Sequence, residues 1–448
     1  MSHTVRRAGA FAAVSTLSLV APAVQGRAAP AVAAVVAAAP FAALAAFALV
    51  GVDDGPIFEL FARPGDFEEG RLYGLAGFAL AAAGLALVAL RFGMPVGAFV
   101  AGTVVVGYGD LAQKAALAAV GDEFAGVVAF SLGGTAAGLG GLLASAALAG
   151  GSVPLSLSRV VFLAAAGALL AALLRSLLFE RDDPLVMVSV ALVLWLFTEL
   201  PVEASATQVA VALGLVAVLG YLSYALETAS IPGMLTGVLL ALLTVVLGDY
   251  GWFAVLISFF VVGGLSTKFR YEEKRERGIA EDNEGARGSG NVIANSAAAL
   301  AALVGAAASP MVGLPEGLFL YAFAGSVAAA MSDTLSSEIG GLYDNTRLIT
   351  TFQRVPPGTD GGVTWQGELA GAAGAAVVAL IALAFFPLGA VGGLVIVAAG
   401  LGGMTVDSLL GATVEGTYLY NKGVNFAATS AAAVIAAALA YAVGLVGP

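Results

Sequence analysis

The residues whose types and spacing point most directly to chemistry lie between Met331 and Gly367. Two acids five positions apart, Asp333 and Glu338, enclose three hydroxyl side chains, those of Thr334, Ser336 and Ser337. A glycine-dense loop follows, and it reads Pro357-Gly358-Thr359-Asp360-Gly361-Gly362. Carboxylates and hydroxyls are oxygen ligands that suit divalent cations, and the backbone N–H groups of glycine-rich turns bind phosphate. The stretch therefore predicts phosphate chemistry assisted by a metal ion.

Each of these signals has an ordinary structural alternative. Acids at the edge of a membrane span can cap the next element or reach water at little cost. The loop's Pro-Pro-Gly and Asp-Gly-Gly sequences are also strong turn formers. No lysine follows the glycines, so the loop is not a Walker P-loop. The crowding of acids and hydroxyls between Asp333 and Glu338 favours the functional interpretation.

Further polar sets accompany this stretch. Arg287-Gly288 precedes Asn291 and Asn295, which lie one turn apart on one face of a predicted helix. A helix N-terminus beside an arginine is a ready anion site. The other two sets are Asp407-Ser408 with Gly411 and Asn421-Lys422 with Asn425. They add an acid, a hydroxyl and two amides to the candidate site.

These motifs must be positioned by a strongly apolar chain. Of its 448 residues, 60% are hydrophobic and 11% are charged, and the mean hydropathy is +0.97. A soluble domain needs more charge to cover its surface, so we predict an all-α, polytopic membrane helix bundle.

A spanning helix needs about 20 apolar residues, and we count about fifteen such runs. Residues 1–24 are interpreted as an uncleaved span and not a signal peptide, because a second apolar run, 28–50, follows at once. The remaining runs lie near 72–90, 94–109, 123–149, 160–178, 184–200, 206–225, 231–247, 250–265, 290–308, 317–331, 366–386, 389–406 and 423–446.

Basic residues orient such a bundle, because Lys and Arg stay mainly on the cytoplasmic side. With the N-terminus inside, strict alternation of spans places most basic residues inside. The protein is then predicted to lie in the cell membrane, with the loops 266–289, 332–365 and 407–422 all on the cytoplasmic side. We interpret the basic run Lys274–Arg277 as a contact to lipid headgroups.

Polar motifs are unevenly distributed, which predicts two membrane domains, 1–205 and 206–448. The second holds nearly every dense polar motif. A faint repeat links them, because Gly109-Asp110 precedes the loop-like Ser131–Gly138 much as Asp333 precedes Gly361-Gly362. Duplication and chance similarity of glycine-rich membrane segments both stay open.

Composition also excludes several classes of function. The chain has no cysteine, and its one histidine, His3, lies in the N-terminal tail. Disulfides, thiolate metal sites and catalysis by cysteine or histidine are therefore excluded. No basic patch interleaved with aromatic residues occurs, so nucleic acid is not a predicted partner. The net charge of -11 is carried by loops and concerns solubility.

The motifs of the second half together resemble the transmembrane-protein-19 family, also known as domain of unknown function 92. A plant phytyl-phosphate kinase belongs to that family. The resemblance implies a kinase that acts on an isoprenyl monophosphate lipid, with CTP as the nucleoside triphosphate donor and the lipid diphosphate as product. The matching motifs run in order over roughly 210–448 and comprise Ser266-Thr267-Lys268-Phe269, Arg287-Gly288 with Asn291 and Asn295, Ser332-Asp333-Thr334 with Ser336-Ser337-Glu338 and Gly340, Pro357–Val363, and Asp407-Ser408 with Gly411.

The first half is similar, far more weakly, to polyprenol and phytol kinases. The similarity involves Gly109-Asp110 and Ser131–Thr135. Phe130-Ser131 stands where those kinases have a lysine-serine pair, so we interpret this half as a degenerate domain.

The leading hypothesis is phosphoryl transfer at the cytoplasmic ends of the helices, which requires positioning and charge neutralisation. It assigns Asp333, Glu338 and Asp407 to Mg²⁺, and Asn291 and Asn295 to orientation of the acceptor. The isoprenyl tail would lie between helices, among membrane lipids. The residues assigned to phosphate are Lys268, Arg287, Ser336, Ser337, Gly358, Thr359, Gly361 and Gly362.

Two other functions stay open. A transporter or flippase built from repeated halves would hold its acids at mid-span. A cytidylyltransferase would join CTP to a lipid phosphate with the same acids and metal. The kinase hypothesis itself requires Asn291, Asp333, Gly361 and Asp407 to surround one pocket.

Overall fold

The computed structural model describes residues 2–151, 155–280 and 288–447, which are almost entirely helical. Fourteen helices in these ranges are long and apolar enough to cross a membrane. The predicted all-α, polytopic membrane bundle is therefore confirmed. The predicted span near 184–200 accounts for the difference from fifteen, because it forms a helix of only 17 residues, Asp183–Glu199.

The chain divides into two compact units, Met1–Ala210 and Val211–Pro448, close to the boundary predicted at residue 205. The helices of the first unit are α1 (His3–Thr16), α2 (Val20–Val24), α3 (Pro30–Ala46), α4 (Gly55–Phe61), α5 (Pro64–Glu69), α6 (Tyr73–Arg91), α7 (Val96–Val120), α8 (Glu123–Leu148), α9 (Leu157–Leu177) and α10 (Asp183–Glu199).

A network of buried ion pairs joins three helices of the first unit. Arg175 of α9 donates to Asp110 of α7 at 2.7 Å and to Asp183 of α10 at 2.6 Å. Arg63 also pairs with Asp183. Removing one member of such a network leaves a buried charge without a partner. The ion pair with Arg175 thus balances the charge of Asp110 within this unit.

The two glycine pairs of the proposed internal repeat differ in structure. Gly133 and Gly134 lie within the continuous helix α8, whereas Gly361 and Gly362 lie outside helices. A Cβ atom at Gly133 would come 2.5 Å from the Cβ of Ala112 in α7. The prediction of a loop at Ser131–Gly138 is wrong, because these small residues serve close packing of two helices.

The second unit takes in most of α11 and everything after it, including one two-stranded antiparallel sheet in which Arg347 pairs with Val363. Its elements are α11 (Ala206–Ala225), α12 (Ile231–Leu243), α13 (Tyr250–Lys268), α14 (Tyr271–Glu276), α15 (Ser289–Ala307), α16 (Ser309–Val312), α17 (Glu316–Gly340), β1 (Arg347–Leu348), β2 (Gly362–Val363), α18 (Trp365–Phe385), α19 (Gly389–Thr413) and α20 (Asn421–Ala442).

Helix α17 is central, because it packs against α13, α15, α18, α19 and α20. Its contact with α18 follows a glycine stripe made of Gly367, Gly371 and Gly374. Cβ atoms at the first two positions would lie 2.8 Å from Ser336 O and 2.9 Å from Ser332 O of α17. The absence of side chains lets the two backbones approach closely, as in other membrane helix pairs.

Three helices continue about two turns or more past the ends predicted for their apolar runs. α7 reaches Val120 instead of 109, α17 reaches Gly340 instead of 331, and α19 reaches Thr413 instead of 406. Hydropathy falls where a span leaves the apolar layer, but backbone hydrogen bonds carry the helix further. The polar stretch after Met331 is therefore the last turns of α17 and not a loop.

Candidate active site

A polar cavity of about 360 Å³ lies at one end of the second unit. It is bounded where α17 and α19 end, where α15 and α20 begin, and by the loop before α18. Asn291, Asp333, Gly361 and Asp407 all line it, so their predicted convergence is confirmed. The other polar residues lining it are Lys274, Asn295, Thr334, Ser336, Ser337, Glu338, Thr346, Thr359, Asp360, Thr364, Ser408, Glu415, Asn421 and Asn425.

Two carboxylates form an acid pair in this cavity, Asp333 of α17 and Asp407 of α19. Their carboxyl groups lie within hydrogen-bonding reach of each other. Asp407 Oδ1 is buried and accepts no hydrogen bond from the part of the chain that the structure describes. Ionised carboxylates only accept hydrogen bonds, and like charges this close repel unless a proton or a cation lies between them. The acid pair therefore requires either a shared proton or a bound cation.

Glu338, which we predicted as a third metal ligand, instead pairs with a lysine. Lys274 of α14 is 1% exposed, and its Nζ donates to Glu338, to Ser266 O at 3.0 Å and to Thr267 O at 2.7 Å. All three ammonium protons are thereby used. The interpretation of Lys274 as a headgroup contact is wrong, because the side chain turns inward to this carboxylate and to carbonyl groups at the end of α13.

The candidate metal site is consequently smaller than the sequence predicts. Within residues 2–151, 155–280 and 288–447, no group of three acidic or histidine side chains is arranged to hold a metal ion. The acid pair remains, without Glu338. Mg²⁺ bound to a nucleotide commonly takes one or two protein carboxylates, and phosphate oxygens and water complete its coordination. Two acids therefore suit a metal that arrives with its nucleotide.

The glycine loop before β2 lies directly against α19. Gly361 has a φ of +72°, and a Cβ atom there would come 2.5 Å from Ala412 N and 2.6 Å from Ser408 O. Gly358 has a φ of +81°, and a Cβ atom there would come 2.6 Å from Ile279. Glycine is needed at both positions for the left-handed backbone and for the close approach. These contacts hold the loop beside Asp407.

We expect Gly361→Ala to release this loop from α19. The left-handed φ costs an alanine about 1–3 kcal/mol, and the collision with Ser408 and Ala412 adds to it. Limited trypsin cleavage after Arg347 and Arg354, two exposed arginines in the 341–364 loop, should accelerate.

Gly416→Ala is the matched control for this substitution. Gly416 has the same φ of +72°, but a Cβ atom there would have nothing within 4 Å. It should show the backbone strain alone, so equal acceleration by both variants would mean that the contact with α19 is unimportant.

The predicted amides line the cavity at the start of two helices. Asn291 and Asn295 face it from α15, and Asn295 Nδ2 donates to Asn291 O at 3.0 Å. Asn421 and Asn425 face it from α20. Lys422 is exposed beside them, and its Nζ would lie 2.6 Å from a Cβ atom at Gly290. The ammonium group thus adds positive charge at the N-terminus of α15, where an anion is favoured.

Lys268, one of the residues predicted to bind phosphate, does not line this cavity. Lys268 is exposed at the end of α13 and lines a separate, apolar groove. Arg287 lies outside the described residues. Among the described residues, the predicted residues that do line the cavity are Asn291, Asn295, Asp333, Ser336, Ser337, Glu338, Gly358, Thr359, Gly361, Gly362 and Asp407.

Besides Lys274, whose role was predicted wrongly, three polar residues of the cavity wall were given no role from the sequence: Thr346, Thr364 and Glu415. Thr364 could have been identified, because a threonine just before an apolar run is typical of a helix N-cap. Its hydroxyl does cap α18, and it accepts a hydrogen bond from Gly367 N at 3.0 Å. Glu415 lies beyond the end of α19, where helical spacing from Asp407 no longer predicts its direction.

Burial raises the pKa of Glu415, and the carboxylates of Asp360 and Asp407 raise it further, while a hydrogen bond with Asn421 lowers it. The folded pKa thus exceeds the unfolded one, which is about 4.3 for glutamate. Folding is favoured fully below the unfolded pKa, and this contribution is lost as the pH rises through the folded pKa.

Glu415→Gln should therefore leave the melting temperature unchanged at acid pH and raise it relative to wild type as the pH increases. The measurement is thermal unfolding in detergent across pH, without divalent cations. A difference that does not vary with pH would contradict the electrostatic explanation.

Comparison with known proteins adds a family match and several relatives. The model of a family described as "Integral membrane protein DUF92" matches residues 214–442. Protein VTE6, chloroplastic, of Arabidopsis thaliana is 39% identical over 126 residues, which are 27% of this chain and 36% of that protein. The aligned part thus covers little more than a third of that relative.

Two prokaryotic relatives are covered more fully. An uncharacterized membrane protein of Synechocystis sp. is 34% identical over 192 residues, 42% of this chain and 73% of the relative. An uncharacterized membrane protein of Methanocaldococcus jannaschii is 35% identical over 196 residues, 42% of this chain and 75% of the relative. No solved structure matches the chain significantly.

Proposed function

Because the chain belongs to the DUF92 family of integral membrane proteins, we propose that its second unit is a phosphotransferase. The enzyme transfers a phosphoryl group from a nucleoside triphosphate, CTP, to an isoprenyl monophosphate lipid. The observation that carries the proposal is the acid pair of Asp333 and Asp407, which lines a cavity with a glycine loop and in which Asp407 Oδ1 accepts no hydrogen bond from the described residues. The resemblance to a family that includes a phytyl-phosphate kinase supports the choice of acceptor.

Mg²⁺ fits the donor set of this cavity. Asp333 and Asp407 would hold the ion, because hard carboxylate oxygens are its preferred protein ligands and no described residue donates a hydrogen bond to Asp407 Oδ1. When bound with the nucleotide, the ion would neutralise charge on the phosphates. Glu338 has no part in this, since Lys274 already pairs with it.

The reaction is a direct displacement at phosphorus. An oxygen of the acceptor's phosphate forms a bond to the γ-phosphorus, and the bond to the β–γ bridging oxygen breaks. The products are CDP and the isoprenyl diphosphate. A phosphate monoester loses its second proton at a pKa of about 6, so the acceptor is largely ionised near neutral pH and needs no general base.

The protein's task is then positioning and charge neutralisation. Backbone N–H groups of Gly358–Gly362, with the Thr359 hydroxyl, would bind donor phosphates beside α19. Asn291 and Asn295 would orient the acceptor phosphate at the start of α15. Lys422 stands close to Gly290 and would attract both anions.

Labelled CTP tests the proposal directly. Purified protein in detergent, incubated with Mg²⁺ and geranylgeranyl or phytyl phosphate, should yield CDP and the isoprenyl diphosphate. Release of pyrophosphate would identify a cytidylyltransferase instead. Absence of turnover with CTP and with the other nucleoside triphosphates would overturn the kinase and favour transport of a lipid or small molecule.

A further inference from the structure

The second unit also contains an apolar groove of about 460 Å³. It lies between the second half of α11, the first half of α12 and the second half of α13, with one residue from α15. Large apolar side chains dominate its wall, among them Leu222, Leu226, Met234, Phe260 and Leu265.

Glycines keep part of this apolar groove open. Gly237 of α12 and Gly264 of α13 both line it, and a Cβ atom at either position would have nothing within 4 Å. The space in front of these glycines is therefore not filled by the protein. A Cβ atom can therefore be added at either position without a collision, and the side chain would extend into the groove.

One end of the apolar groove is charged and lies beside the polar cavity. Lys268, the last residue of α13, is the one charged residue among those that line the groove in the described chain. Val292 of α15 also lines the groove and is 3% exposed. Its neighbours Asn291 and Asn295 line the polar cavity. The groove and the cavity therefore share the first turns of α15 as a wall.

We propose that this apolar groove holds the isoprenyl chain of the acceptor, with the acceptor's phosphate at Lys268 and the start of α15. The proposal rests on the proposed function, because it names where that enzyme's lipid lies. An anionic headgroup on a single apolar chain matches a groove with one cation at its polar end. The same placement explains why Lys268 stands apart from the donor's cavity.

Selectivity for this lipid must come from fit and charge. Membrane lipid tails are as apolar as the groove, so leaving the bilayer for the groove gains no hydrophobic free energy. Close packing along α11–α13 and the attraction between Lys268 and the phosphate supply the preference. A phospholipid with two acyl chains and a larger headgroup satisfies neither condition as well.

Photocrosslinking tests the groove without requiring catalysis. The purified full chain in nanodiscs is irradiated with a geranylgeranyl phosphate analogue that carries a diazirine on its chain, and the labelled peptides are identified. Labels should fall on residues 219–265 and be displaced by unlabelled geranylgeranyl phosphate but not by phosphatidylglycerol. Equal displacement by phosphatidylglycerol would mean that the groove holds bulk lipid, which overturns the proposal.

Filling the groove supplies the matched variants. Gly237→Leu and Gly264→Leu should each reduce specific labelling about tenfold or more, because the leucine occupies the space of the chain. Gly214→Leu is the control, since Gly214 is exposed on α11, has nothing within 4 Å and lies outside the groove. Unchanged labelling in both groove variants would overturn the proposal.

Lys268→Gln tests the position of the phosphate. Competition by geranylgeranyl phosphate should weaken about tenfold, whereas competition by the uncharged alcohol geranylgeraniol should stay unchanged. Equal weakening of both would place the phosphate elsewhere and contradict the assignment. All of these readouts work without nucleotide, so absence of kinase turnover would refute the proposed function and leave the groove separately testable.

Discussion

Asp333→Asn and Asp407→Asn are each expected to lower kcat/KM for phosphoryl transfer about a hundredfold or more. Either change leaves one carboxylate to hold the divalent cation that neutralises the donor phosphates. The amide is nearly isosteric and removes one of two repelling charges, so the fold should not weaken. The measurement is steady-state turnover with labelled CTP, together with the thermal unfolding midpoint of each variant.

Asp344→Asn provides a control at the same end of the molecule. Asp344 pairs with Arg277 at 2.8 Å, but its side chain is 83% exposed and it does not line the cavity. Its activity should match wild type. Wild-type turnover by either Asp333→Asn or Asp407→Asn would remove that residue from the mechanism.

Binding of the metal gives an independent readout of the acid pair. In the presence of CTP, Mg²⁺ should raise the unfolding temperature of the wild-type protein, since a ligand that binds only the folded state stabilises it. The increase should disappear in both asparagine variants. An unchanged increase would mean that the ion binds elsewhere.

Lys274→Met is expected to destabilise the second unit by about 3–5 kcal/mol, because it leaves Glu338 buried without a counter-charge. Lys274 is 1% exposed and Glu338 is 9% exposed, so water replaces little of the lost interaction. Two carbonyl groups at the end of α13 also lose their donor. Chemical unfolding of the purified protein, monitored by tryptophan fluorescence, measures the loss.

The double variant Lys274→Met/Glu338→Leu distinguishes a structural role from a role in binding. Removing both charges should recover much of the stability, as replacement of buried ion pairs by apolar residues often does. If Lys274 instead bound donor phosphate, the double variant would regain stability and still lose nucleotide affinity. Recovery of both properties would establish the ion pair as a clamp between α14 and α17.

The convergence of the site was predictable because it depends on topology. Asp333 and Asp407 follow apolar runs, whereas Asn291 lies at the start of one, and alternating spans bring such positions to the same end of a bundle. Their gathering at one cavity required no knowledge of side-chain contacts. The spacing of residues along the sequence does not predict the contact between the two acids, because they lie on different helices.

The role of Lys274 was not predictable for a related physical reason. Tyr271–Glu276 reads locally as a charged surface turn, and its neighbour Arg275 is indeed exposed. The carboxylate that draws Lys274 inward belongs to Glu338, in a distant part of the chain. Hydropathy also marked the end of an apolar run correctly but not the end of helix α17, so the site stands on a helix where the sequence predicted a loop.

The glycine stripe of α18 has a consequence for the side from which substrates can enter the cavity. Gly367 and Gly371 put the backbone of α18 against that of α17 over the turns that carry Ser332 and Ser336. At these two positions the helices meet backbone to backbone, so this side of the cavity forms a rigid wall near Asp333. We therefore expect substrates to enter from the opposite side, where Gly361 of the 341–364 loop lies against α19.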